Sequence, residues 1–362
     1  MSRFPTDLLT RPAVVGARLI ALAQLDEAAQ ALDRIGDSDD PEALHDFRVA
    51  LRRLRTTLRA YRPQLRDAVR RKLRRRLRGL ARATNRCRDV EVQLQWLHDQ
   101  TGSLAPRERT GGRWLATRLA ERRRLEFENA APHLRRTFGK VNRRLRRRLR
   151  VYASPVEQTA AASGPSLSVV AQEIVRALAG ELVKRLQAVR TPDEVAPLHA
   201  ARLAAKRLRY VLEPLAEWVA SGPRLVERLK TLQDLCGDVG DSQAFEAELL
   251  AALAEAAGEK AKQALRALLD GHPGVAAGRK RLRTRPEAWP GIVAVARLVR
   301  ARRDGLFAAL QADWLAAGPQ GLRREVVAAA TGLKAALPAV PGRPRLPRAG
   351  RPAWSSRPRT RS

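Results

Sequence analysis

The chain has 362 residues, enough for two domains of ordinary size, and carries 70 Lys or Arg against 37 Asp or Glu, a net charge of +33. That excess lies far beyond what solubility requires and points to a polyanionic partner. Apolar residues make up 44% but aromatics only 4%, so the cores must be mostly Leu, Ala and Val, which favours helices. Arg outnumbers Lys by 61 to 9, as in a GC-rich genome, but codon bias explains the choice of Arg and not the excess of bases over acids. The two cysteines, Cys87 and Cys236, make no disulfide framework, so a reducing cytoplasm is expected. No run of 18 apolar residues occurs, which excludes a membrane-spanning helix, and Met1 to Thr10 lacks the layout of a secretory signal.

In chain order, residues 12–35 are mostly apolar with few charges and predict a first, buried helix. Residues 36–39 read as a loop, then Asp40 as N-cap, Pro41 at the first helical position and Glu42 next; the second helix ends near Pro63. Residues 65–83 predict a third helix of dense charge. From His45 to Arg88 there are 17 Lys or Arg and two acids, Asp46 and Asp67, an imbalance no globular surface needs. Residues 85–89 read as a turn, 90–98 as the start of a further helix and 102–112 as a loop. Helices at 114–129 and 134–150 close this half, broken at Pro132. Residues 154–168, rich in Ser, Ala, Gly and Pro, read as the linker between residues 1–153 and 169–337.

The pattern then returns. Residues 169–188 match the first helix. The next helix is expected to start close to Pro197, which lies too deep for a helix beginning at Pro192. Residues 224–235 match the third helix: Leu77, Leu80 and Asp89 align with Leu229, Leu232 and Asp241 across a turn that is rich in glycine only in the second copy. Residues 246–269 are long and Ala-rich, and 289–315 and 321–337 close the half. Residues 338–362 carry Pro, Gly, Ser and seven Arg with no acid, the composition of a disordered basic tail. The architecture expected is all-α, a duplicated pair of helix bundles rather than a solenoid.

Each half is organised around one helix. His45, Arg48, Arg52, Arg53, Leu54 and Arg55 return 154 positions later as His199, Arg202, Lys206, Arg207, Leu208 and Arg209. Wound at about 100° per residue, His45, Arg48, Arg52, Arg55 and Arg59 fall within roughly 80° of one another. Leu44, Phe47, Leu51, Leu54 and Leu58 form an apolar stripe beside them, and Arg53 points elsewhere. His199, Arg202, Lys206 and Arg209 repeat the arrangement next to Leu198, Ala201, Ala205, Leu208 and Leu212. A solvated helix usually sets its charges opposite its apolar face. Here a row of cations sits at the edge of the buried face, so two such helices brought together would line a shared basic groove.

The chemistry narrows by residue type. Two His without Cys, Asp or Glu at ligand spacing, set among cations, make a poor metal site, and no cofactor motif occurs. No nucleophile elbow, Gly-rich phosphate loop or paired carboxylates accompany the stripes, so an enzyme is not expected. Nucleic acid is the main rival, since Arg grips any phosphodiester and the third helix, residues 66–78, is placed to hold DNA from outside. Yet stacking platforms are scarce: only Phe47, Tyr61 and Tyr210 lie on the stripe helices, and Phe47 faces the core. A flexible inorganic polyanion fits better, because it has no bases to stack and can thread a narrow channel of guanidinium forks. A His at each helix start adds a neutral donor, or a cation when protonated. Arg59, Arg122, Arg123, Arg302 and Arg303 are secondary candidates, with Arg53 and Arg207, whose simplest role is a solvated face. Asp89 and Asp241 read as helix caps or turn residues. His98, His133 and His272 read as structural or surface residues.

The duplicated His-x-x-Arg-x-x-x-(Arg/Lys)-Arg-Leu-Arg motif, each copy followed by an Asp some forty residues on, resembles the CHAD family over about residues 10 to 337. That resemblance implies two pseudo-symmetric four-helix bundles around a basic central pore. It also implies binding of inorganic polyphosphate, with location at cytoplasmic polyphosphate granules. The ligands it implies are His45, Arg48, Arg52 and Arg55 with His199, Arg202, Lys206 and Arg209. No Glu-x-Glu-x-Lys signature of a fused triphosphate-tunnel domain is present, which suggests a stand-alone, non-catalytic module. Lys206 in place of Arg, Pro197 before the second His, and the basic tail depart from the family pattern. The alternatives are a general nucleic-acid-binding or granule-coating protein and an accessory subunit of a polyphosphate or triphosphate hydrolase.

Overall fold

Leucine spacing decides which face each helix buries. The most cationic helix, Arg71–Ala83, shows this: its buried residues are Leu73, Leu77 and Leu80, spaced i+4 and i+3. A computed structural model describes residues 4–35, 42–150, 164–219, 221–269, 288–316 and 318–335. The fold is all-α. The first half supplies α1 (Ala13–Arg34), α2 (Ala43–Ala60), α3 (Arg71–Ala83), α4 (Asn85–Gln100) and α5 (Arg109–Arg150). The second supplies α6 (Leu167–Gln187), α7 (Val195–Leu212), α8 (Gly222–Leu269), α9 (Trp289–Leu310) and α10 (Gln320–Ala335). Among the described residues no helix is long and apolar enough to cross a membrane.

The helices close into rings of four. In the first, α1 packs on α2, α2 on α3, α3 on α5 and α5 on α1; in the second, α6 packs on α7, α7 on α8, α8 on α10 and α10 on α6. A third ring joins α4, α5, α8 and α9, two helices from each half. The length of α5 and α8 makes this possible. Leu134, Phe138 and Leu145 of α5 enter a large core that runs through both halves, whereas Leu115 and Leu119 enter a smaller one with Leu94, Phe245, Leu249 and Val295. Edge-to-face pairs mark both cores, Phe47 with Phe138 at 5.2 Å and Trp96 with Phe245 at 5.6 Å between ring centroids. The motif helices α2 and α7 touch each other directly.

Several boundaries differ from the sequence reading. Residues 85–89 are not a turn, because α4 begins at Asn85 and the Thr84 amide still donates to Leu80 O at 3.3 Å. The glycine-rich counterpart is no turn either; Gly237 and Gly240 lie inside the continuous α8. Pro132 does not break α5, since buried side chains on both sides of it anchor the helix and outweigh one lost hydrogen bond. Pro197 sits in the first turn of α7, which starts at Val195, where amides have no intrahelical acceptor. The third helix begins at Arg71 rather than 65. Leu167, expected in the linker, is fully buried at the start of α6, and Ser166 caps that helix. Residues 36–41, which hold the expected Asp40 cap, most of the linker, and the tail lie outside the described residues.

Gly111 and Gly112, expected in a loop, lie in α5 and bring it against α9. A Cβ on Gly111 would lie 2.8 Å from Gly291 Cα, and one on Gly291 would lie 2.7 Å from Gly111 Cα. Gly291→Ala should therefore lower unfolding free energy by about 1–3 kcal/mol or more in urea melts. Gly79→Ala, on an exposed face with no atom within 4 Å, should raise it slightly.

Candidate anion-binding site

The α2–α7 contact brings the two cationic rows together. Arg48 is 5% exposed at the edge of the α2 core face. Burial and then the neighbouring Arg52 pull its proton affinity down to about 10, while Asp89 of α4 and Glu91 oppose that shift. Across the contact, burial, Arg202 and then Arg52 push the Lys206 ammonium down to about 6, against the pull of Asp241 on α8. Arg52 of the first half thus acts directly on Lys206 of the second. Asp89 and Asp241 lie near enough to repel: desolvation and Asp241 raise the Asp89 carboxyl above its ordinary range, although Arg48, Arg202 and Arg52 stabilise its charge. Arg202 Nη1 stands 3.7 Å from Asp241 Oδ1. The centre therefore holds Arg48, Arg52, Arg202 and Lys206 with the carboxylates of Asp89 and Asp241, and beside them Glu91 and Asp238.

Two donors at this centre lack acceptors. Arg48 Nη1 and Arg202 Nε are buried without a hydrogen-bond partner among the described residues. Such groups are rare unless water or a ligand completes them. Space for Arg202 comes from Gly237, where a Cβ would lie 3.0 Å from Nη2 and 3.1 Å from Nε. The glycine that read as a turn residue is a notch in α8 for this guanidinium. His45 and His199 flank the centre. Partial burial with Arg88 and Arg52 lowers His45, and partial burial with Arg202 and Lys206 lowers His199, so both are neutral near pH 7.

The two rows end differently. Arg55 is surrounded by charge of its own sign, with its proton affinity lowered by burial and then by Arg78, Arg52, Arg82 and Arg59. Its counterpart Arg209 lies 4.6 Å over the Tyr210 ring and 4.0 Å from Glu213 Oε1. That same Glu213 accepts from Arg53 Nε at 2.9 Å and Nη2 at 2.8 Å. Arg53, expected on a solvated face, is thus a bidentate tie between the halves. Arg207 does sit on the flank, near Arg59 and Arg185.

Of the remaining secondary candidates, Arg302 borders the centre, lining one cavity with Asp241, and the others lie elsewhere. Arg122 pairs with Glu248, Arg302 lies 3.6 Å from Asp238 Oδ2, and Arg303 is buried against Glu246, Asp193 and Asp304. Arg123 is exposed on α5. Asp89 and Asp241 cap no helix but act as counter-charges at the centre, a role the sequence reading did not give them. Arg78 and Arg82 join the site from α3, which only the packing of α3 on α2 reveals. Cys87 and Cys236 are buried, with thiols pushed up to about 11 and about 12 mainly by that burial. His98 and His133 stand apart from the cluster, and His272 lies outside the described residues.

The fold and the site define an all-helical protein with a cationic seam between two repeated motif helices. The family model of the CHAD domain matches residues 19–250, and the chain belongs to that family. A crystal structure of the CHAD domain from the plant Ricinus communis aligns with TM-score 0.49 and 19% identity, covering 90% of this chain and 93% of that one. No curated protein matches the chain.

Lys206 is a strain on the empty fold. Its folded value lies far below that of an unfolded lysine, so between about pH 6 and pH 10 the unfolded chain holds the extra proton and stability rises with pH. Lys206→Met should raise the thermal midpoint by a few degrees at pH 7, with the gain shrinking towards pH 10, as followed by circular dichroism.

Proposed function

We propose that this protein binds inorganic polyphosphate, without catalysis, along the basic seam between α2 and α7. Arg48, Arg52, Arg202 and Lys206 form the centre, His45 and His199 act as flanking donors, and Arg55 and Arg209 extend the two rows. The observation that carries this is the pair of buried, unpartnered guanidinium donors, Arg48 Nη1 and Arg202 Nε, one from each half. They sit in a cluster of basic side chains drawn from both halves, which suits a linear anion that gives each fork two oxygens. Membership of the CHAD family supports the choice of ligand. In this proposal the halves are pseudo-symmetric bundles around a basic pore, with Arg59, Arg78 and Arg82 leading the polymer out of it. The protein would act in the cytoplasm at polyphosphate granules. Among the described residues no group of three or more His, Cys, Asp or Glu gathers to hold a metal ion.

The second reading, general nucleic-acid binding, draws on the exposed outer face of α3, where Arg71, Lys72, Arg75, Arg78 and Arg82 face solvent. Competition of long-chain polyphosphate against duplex DNA at equal phosphate and about 0.15 M salt separates the two. The full chain and one lacking residues 338–362 should both prefer polyphosphate, whereas equal affinities collapsing together with salt would favour the second reading. Phosphate release on adding divalent metal would instead indicate a hydrolase.

Polyphosphate should also take up protons. Lys206, His45 and His199 all have lowered proton affinity in the empty site, and an arriving anion raises it. The bound state then holds more protons, so affinity should strengthen as pH falls from about 8 to about 6. Calorimetry in buffers of different ionisation enthalpy reads the uptake directly.

A further inference from the structure

Exposed arginines elsewhere on this protein are matched with acids: Arg124 with Glu121 and Glu128, Arg185 with Glu181, Arg228 with Glu325. The last part of α5 departs from that pattern. Residues 129–150 hold nine Lys or Arg and no acid. Three of the nine are used within the fold: Arg135 donates to Ile35 O, Arg146 pairs with Asp26, and Arg148 donates to Asp67 O at 3.5 Å. The other six are exposed, and none pairs with an acid among the described residues. Five of them, Arg136, Lys140, Arg143, Arg147 and Arg150, are spaced 4, 3, 4 and 3. At about 100° per residue they fall within roughly 80° of one another, opposite the buried Leu134, Phe138, Val141 and Leu145.

The neighbouring α3 repeats the row. Arg71, Arg75, Arg78 and Arg82 are spaced 4, 3 and 4, all exposed and all opposite the buried Leu73, Leu77 and Leu80. α3 packs on α5. Arg148 near the end of α5 reaches Asp67 just before α3, and Glu126 acts on Cys87 just beyond it, so the two helices run antiparallel. Helices so packed have axes about 8–10 Å apart, and the longer row spans about 20 Å. The one acid of residues 62–83 is Asp67, which already faces Arg66 at 3.8 Å. The result is a double rail of cations.

Three observations select the occupant. Among residues 62–83 and 129–150 no large apolar side chain is exposed, so a membrane would find nothing to take up. The one Phe, Tyr or Trp in these stretches, Phe138, is buried, so no ring is offered to the bases of a single strand. Two cationic rows side by side match the two phosphate rails that border a groove of duplex nucleic acid, about 6–12 Å wide, whereas a single-railed polymer needs only one.

We propose that the α3–α5 face holds duplex nucleic acid by its phosphates, without reading sequence, as a second polyanion site. Arg78 and Arg82 act on Arg55 and so border the exit of the α2–α7 seam, but the α5 row lies one helix further out. The proposal therefore stands or falls apart from the polyphosphate reading.

Fluorescence anisotropy of the full chain with a labelled DNA duplex of about 20 base pairs, at about 0.1 M salt, reads the affinity. Arg136→Gln with Arg143→Gln and Arg147→Gln should weaken duplex binding at least about 10-fold and shrink the slope of log affinity against log salt by about 2.7, since each lost phosphate contact removes about 0.9. Affinity of this variant for long-chain polyphosphate should stay within about twofold of the wild type, with helical circular dichroism unchanged. A control, Arg124→Gln with Arg185→Gln and Arg228→Gln, removes as many charges where acids already match them and should bind the duplex as the wild type does. A wild-type chain that ignores the duplex, an α5 variant that binds it unchanged, α5 and control variants that weaken equally, or an α5 variant that loses polyphosphate as steeply as duplex would each overturn the proposal.

Discussion

Like charges held together at a buried helix contact are the constraint on which the rest of this structure depends. Arg48, Arg52, Arg202 and Lys206 meet where α2 packs on α7. Left alone, cations at such a contact would drive the helices apart. Asp89 and Asp241 offset part of the repulsion, and Glu213 ties Arg53 and Arg209 at the far end of the same contact. The compensation is incomplete. Lys206 relieves the excess by surrendering its proton, and two guanidinium nitrogens keep unused donors. In the proposed function these unused donors are what an arriving anion would take up.

The frame around the contact explains how the protein withstands that repulsion. Both buried clusters draw on both halves, so α2 and α7 cannot separate without opening a shared core. The Gly111–Gly291 crossing and the Trp96–Phe245 pair fasten the halves a second time, away from the charged centre. Stabilisation thus comes from apolar packing at several contacts, while the electrostatics at the centre is kept unfavourable in the empty state. Stability given up at a functional centre and recovered in the surrounding core is a common arrangement.

Much of this was legible in the sequence, because helical periodicity places side chains by simple rotation. The all-α class, the paired motif helices, the buried Phe47 and Leu51, and the small buried Cys87 and Cys236 follow from spacing and composition. The misreadings came from residues whose local preference was overruled by tertiary contact. Gly237 looks like a turn but makes room for Arg202, Gly111 looks like a loop but makes a helix crossing, and Pro132 bends to the cores on either side of it. Asp89 and Asp241 were found by alignment yet given the wrong task, since their charge partners sit on other helices. Arg53 shows the same limit: rotation set it off the stripe, but only the fold brings Glu213 to it.

The central claim is that the motif cations of the two halves act as one anion site. Its most direct test is the affinity for long-chain polyphosphate of the Arg48→Glu/Arg202→Glu double variant against the wild type at about 0.15 M salt. The account predicts a loss of at least about 100-fold with helical circular dichroism retained, since both substitutions place a carboxylate where the polymer's oxygens would sit. Wild-type affinity in a folded double variant would contradict it and move polyphosphate to another surface of the molecule.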